Sequence, residues 1–160
     1  MKNTELRLSL NEVLFFFTRA AVGAGASFGI SEDFGRTSIW LASNGLDPAQ
    51  LTLPALNTLA ESSSIYSTEM IDSDQETHLK LSSDKNISAI QAGPTINDWI
   101  ASQSDSPNSN RIFVAENVDF PFLIAAALGA AGCWGWDVTW QDSVFNQYLI
   151  RFKENGDWIA

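Results

Sequence analysis

Apolar residues recur at three- and four-residue intervals early in the chain, where Leu10, Val13, Leu14, Phe17, Ala20 and Ala21 fall on one helical stripe. Ser9-Leu10-Asn11-Glu12 is a capping box, so a helix is expected to start at Leu10, and Gly23 and Gly25 break its propensity. Ser31 is expected to cap a second helix with Glu32 and Asp33 in its first turn. Asn44-Gly45 supplies a left-handed stop for that helix, and Leu46 would cover its open end. Pro54 and the run Ala55 to Ala60 predict a third, short helix, ended by Glu61-Ser62-Ser63-Ser64.

The period then changes. Leu79 and Leu81, and next Ile87 to Ile90, read as short strands on either side of a turn over Ser82 to Asn86. Thr95-Ile96-Asn97-Asp98 resembles a second capping box behind Pro94, with Ile96, Trp99 and Ile100 on one face of a short helix. Ser102 to Asn110 has nothing to bury and reads as a surface loop. Arg111 to Ala115 reads as a buried strand, Phe122 to Ala131 as a helix and Cys133 to Trp140 as a strand, which together predict a β-α-β crossover. Trp134, Trp136, Val138 and Trp140 alternate with Gly135, Asp137 and Thr139, and Val144 to Phe152 can return antiparallel. Asn155-Gly156 marks one more turn before Trp158. The expected fold is a single α+β domain over residues 1–160: a mainly helical part, 1–60, packs on a small mixed β-sheet within 76–160 that ends in an aromatic hairpin.

Composition narrows the function classes. With 45% hydrophobic and 18% charged residues the chain is ordered rather than disordered, and its six Trp and ten Phe make an aromatic-rich core. A net charge of −10 with nine scattered cations opposes binding to nucleic acid or an anionic membrane surface. Phe120 to Trp136 is uncharged for 17 residues, yet its glycines and Pro121 point to a buried helix running into a strand. Cys133 is a lone cysteine and the start of the chain lacks a secretory pattern, so a reduced, cytoplasmic protein is expected.

Candidate chemistry is sparse. Gly25-Ala26-Ser27-Phe28-Gly29 matches the G-x-S-x-G pattern of a nucleophile elbow, but helical rather than strand-like residues precede it. The single histidine such a pattern could draw on is His78. Gly23 and Gly25 open a dinucleotide-like pattern that Phe28 interrupts. Asp72, Asp74, Glu76 and His78 would share a face of one strand, although a solvated acidic face explains them more simply than a cation site, and no metal or cofactor is expected. Cys133 reads as a packed core thiol, and the tryptophan ladder as core before pocket. Glu32 and Arg36, at i and i+4, read as a surface ion pair. If Gly23 to Gly29 folds beside the start of the second helix, free amides and the helix dipole form an anion-friendly concavity that Arg19 or Arg36 could complete.

Four stretches resemble a known family: Ser9-Leu10-Asn11-Glu12, Arg19 to Gly25, Phe28 to Arg36, and Trp40 to Leu46. They are similar to the opening signature of domain-of-unknown-function family 3726, which reads S-L-N-E, R-G-A-G, W-G-L-A-E-E and R-W-L-A-x-G-L. Val22 stands where arginine is usual in that pattern, Phe28 where tryptophan is usual, and Ile39 where a second arginine falls. The resemblance implies bacterial origin and no particular activity. The residues together point to a non-catalytic accessory or small-ligand-binding protein, with Arg19, Gly23, Gly25, Ser27, Glu32, Arg36 and Trp40 as ligand-binding candidates. Its partner would be a small ligand or a protein, a second copy of the chain included. The alternative is a small-molecule enzyme using the Gly23 to Gly29 loop with Glu32 and Arg36.

Overall fold

The computed structural model describes residues 7–59, 61, 67–72, 76–102, 110–133, 135–141, 146–153 and 157–159. Helix α1 (Leu10–Gly23) starts where the capping box puts it. The Glu12 amide donates to Ser9 Oγ at 3.3 Å, and the Ser9 amide donates to Glu12 Oε2 at 2.8 Å. Val13, Phe17 and Ala21 form its buried stripe.

The helix closes in a Schellman turn: Ala26 N–H donates to Ala21 O and Gly25 N–H to Val22 O, both at 3.0 Å. Gly25 takes φ +99°, a left-handed conformation that a side chain would strain. The turn leaves Ser27 extended, and α2 (Phe28–Ser43) starts immediately after it. Ser31 is therefore not the cap. It lies one turn inside the helix, where its hydroxyl donates to Ser27 O at 2.8 Å, and Glu32 and Asp33 fall beyond the first turn. The stop at the far end is as expected, with Gly45 at φ +74° and Leu46 N–H donating to Leu41 O at 3.0 Å.

Helix α3 (Pro48–Thr58) begins six residues earlier than Pro54 suggests. Asp47 Oδ1 accepts from the amides of Ala49 and Gln50, and Pro48 occupies the first turn, where its missing N–H costs nothing. The serines expected to end this helix, Ser62 to Ser64, lie outside the described residues.

Strands β1 (Ser67–Asp72) and β2 (Glu76–Ser82) form an antiparallel hairpin, which splits the proposed acidic face between two strands. Asp72 pairs with Thr77, His78 pairs with Ile71, and Asp74 lies outside the described residues. Of Ile87 to Ile90, only β3 (Ile87–Ser88) is extended. Helix α4 (Ala89–Ser102) follows at once, because Asp119 Oδ1 accepts from the Ala89 amide at 2.8 Å and serves as a cap from across the fold. Thr95 is accordingly no cap but an interior residue whose hydroxyl donates to Gln91 O, and Pro94 is buried inside the helix. The loop expected after Ser102 falls on residues 103–109, outside the described ones.

Strand β4 (Asn110–Ala115) pairs parallel with β2 at the edge of the sheet β1-β2-β4. Ile112 and Val114 share its exposed face while Phe113 and Ala115 pack on the core, so the strand is half-buried rather than the buried one expected. Strand β5 (Val118–Asp119) pairs with β3, and α5 (Phe122–Ala131) has the expected bounds. No β-α-β unit runs through α5: the next strand, β6 (Asp137–Gln141), pairs instead with β7 (Gln147–Phe152). Parallel crossovers run from β2 to β4 and from β3 to β5, both through α4. The sheet β6-β7-β8, closed by β8 (Trp158–Ile159), is the antiparallel aromatic hairpin with one added strand. Trp134 and Asn155-Gly156 lie outside the described residues.

The fold is α+β, with its strands divided among three small sheets. At its centre α5 packs between α2 and α4, buried from Leu123 to Gly129. Its small residues permit that closeness: a Cβ on Gly129 would lie 2.5 Å from the Trp40 indole, and one on Gly93 would lie 2.8 Å from Ala127 Cβ. Among the described residues no helix is long and apolar enough to cross a membrane. Helix α1 is peripheral, and its principal neighbour is α2.

Candidate functional site

The α1–α2 hairpin carries a groove of about 400 Å³ between its two helices. From α1 it is lined by Asn11, Leu14, Phe15, Thr18, Arg19 and Val22, and from α2 by Phe28, Glu32 and Arg36. The α2 residues are spaced i, i+4, i+8, so one face of that helix forms the whole wall. The floor is narrow because Gly35 lets the backbones approach, with the position its Cβ would take overlapping Thr18 Oγ1 and 2.9 Å from Leu14 Cδ1.

The groove is amphipathic. Leu14, Phe15, Val22 and Phe28 supply apolar surface, with Phe28 68% and Phe15 56% exposed. Arg19 holds its guanidinium 5.5 Å from the centre of the Phe15 ring, a cation–π contact, and has no carboxylate partner among the described residues. Glu32 likewise has no ion-pair partner there. The expected Glu32–Arg36 pair is replaced by Arg36 Nη1 donating to Asp33 Oδ1 at 2.8 Å. Arg36 borders both the groove, with Glu32, and a second cleft, with Asp33, and its hydrogen bond lies on the Asp33 side.

That second cleft, about 280 Å³, opens between α2, α4 and the end of α5, with Asp33, Arg36, Asn97, Asp98 and Cys133 among its lining. The Cys133 thiol donates to Asn97 Oδ1 at 3.7 Å, while Asn97 Nδ2 donates to Ala127 O at 3.3 Å. Burial pushes the Cys133 thiol above its ordinary range.

Of the seven candidate residues, the groove gathers Arg19, Glu32 and Arg36. Gly23 and Gly25 belong to the turn that closes α1, where the amides of Ala24, Gly25 and Ala26 are committed to α1 carbonyls rather than open to an anion. Ser27 is the exposed first residue of that junction, preceded by a helix instead of the strand an elbow requires, and its side chain makes no cap hydrogen bond. Trp40 lies elsewhere, its indole 5.5 Å from Trp158 and 6.2 Å from Phe152 in the junction between α2 and the C-terminal sheet. Sequence reasoning missed Phe15 and Phe28. The available signal was position, since Phe15 and Val22 lie off the α1 core stripe and an apolar residue off the stripe marks a second surface.

The architecture is thus an α+β domain that displays an amphipathic helical-hairpin groove. The chain belongs to the family described as Protein of unknown function (DUF3726), which it matches over residues 8–93. That span contains the entire groove and stops before α5. Val22 and Phe28 line the groove, and Ile39 packs on the core. No curated protein and no solved structure matches the chain.

Proposed function

We propose that this is a cytoplasmic, non-catalytic accessory protein that works by binding through the α1–α2 groove. The observation that carries the reading is the union there of exposed Phe15 and Phe28 with Arg19 and Glu32, two charges lacking an ion-pair partner among the described residues. A folded chain gains by covering large apolar side chains, and it gains further when the covering surface satisfies charges at the rim. The groove's volume also admits the buried part of a small amphipathic ligand.

The anionic aromatic dye 8-anilino-1-naphthalenesulfonate tests the reading, because it needs an apolar wall beside a guanidinium. In dilute solution the native chain is expected to enhance the dye's fluorescence. The double variant Phe15→Ser/Arg19→Ala is expected to lose most of that signal while keeping its circular-dichroism melt. Undiminished fluorescence in the variant would locate the dye elsewhere and overturn the assignment.

A further inference from the structure

Among the described residues eleven large apolar side chains are exposed, and five of them, Leu10, Phe15, Phe16, Val22 and Phe28, sit on the α1–α2 hairpin. This concentration exceeds what a small ligand in the groove could cover, since Phe16 is half exposed and does not line the groove. The required occupant is therefore a broad surface. Its charge pattern is also constrained: with Arg36 held by Asp33, the hairpin presents a cation on α1, Arg19, and an anion on α2, Glu32, neither with an ion-pair partner among the described residues. A strongly acidic partner would meet Arg19 but oppose Glu32, and a strongly basic one would do the reverse. A surface bearing the same pair in the same arrangement satisfies both.

From this self-complementarity, and resting on the reading of the groove as a binding surface, we infer that the occupant is a second copy of this chain. The two copies pair about a two-fold axis along the groove, so that α1 of each lies over α2 of the other. Arg19 then meets Glu32 of the second copy, twice over, and the phenylalanines of both hairpins pack between these charges. The result is a four-helix arrangement in which the peripheral α1 becomes internal. The chain's net charge of −10 opposes self-association in every orientation, so the two matched ion pairs and the covered phenylalanines have to outweigh that repulsion.

Sedimentation equilibrium of the full untagged chain over the micromolar range tests this pairing. The expected species is a dimer of about 35 kDa, twice the 17.5 kDa chain. Arg19→Glu and Glu32→Arg, each alone, are expected to weaken the dimer at least tenfold, by placing like charges together. The double variant Arg19→Glu/Glu32→Arg exchanges the charges and is expected to recover most of the affinity, an outcome that misfolding could not produce. A monomer at the highest concentration would overturn the inference, and so would a dimer indifferent to both single reversals. If the dye still binds such a monomer in a way that depends on Phe15 and Arg19, only the identity of the partner fails, and the groove remains a small-ligand site.

Discussion

Gly35 decides whether the hairpin can exist in its present form. The position has ordinary helical geometry, so its demand for glycine is steric: a methyl group there would overlap Thr18 Oγ1 and press on Leu14, both of which belong to the groove. Gly35→Ala is expected to destabilise the chain by about 1–3 kcal/mol, the range for overpacking a close contact, measured by urea denaturation. The same variant should push α1 outward and widen the groove. Its denaturation midpoint would remain at the native value only if α1 could shift freely. Nothing in the sequence pattern identifies this glycine, because a helical glycine between Phe34 and Arg36 reads as a weak position until a neighbouring helix is placed against it.

At the scale of elements, the start of α1 couples the hairpin to pH. The Ser9 amide and then its hydroxyl hold the Glu12 carboxyl below its ordinary range. A carboxylate whose folded value is depressed stabilises the fold above its unfolded value and loses that contribution as pH falls through the folded one. Native chain and Glu12→Gln are therefore expected to differ in melting temperature at neutral pH, and the gap should narrow as the pH falls below the normal carboxylate range. A gap that stayed constant would mean that the box does not act through the carboxylate. This element was legible because its signals are local: serine, a three-residue spacing and an apolar run. The start of α4 was not, since its cap is Asp119, thirty residues away in sequence. The β-α-β unit misled for the same reason, because strand partners are chosen by tertiary packing, and β6 found β7 rather than β4. The second helix starts one turn before the expected place because α1 closes at Ala26 and leaves Ser27 extended, a start made without any side-chain cap for the sequence to signal.

For the molecule as a whole, the two ends of α2 do different work. Its C-terminal end is anchored: Trp40 packs on Trp158 and Phe152, and Trp158 Nε1 donates to Asn44 Oδ1 at 2.8 Å. Its N-terminal half packs chiefly on α1 and bears the groove. The candidate site was legible in part, through Arg19, Glu32 and Arg36, whereas its apolar half and its separation from Trp40 depended on how α1 docks. The central claim, that the hairpin face is where two copies of this chain meet, is tested most directly by hydroxyl-radical footprinting of the untagged chain at low and high concentration. Phe15, Phe16 and Phe28 are expected to lose reactivity as concentration rises, while the similarly exposed Tyr148 on the C-terminal sheet keeps its own. Unchanged reactivity of the three phenylalanines, or protection centred on Tyr148 instead, would contradict it.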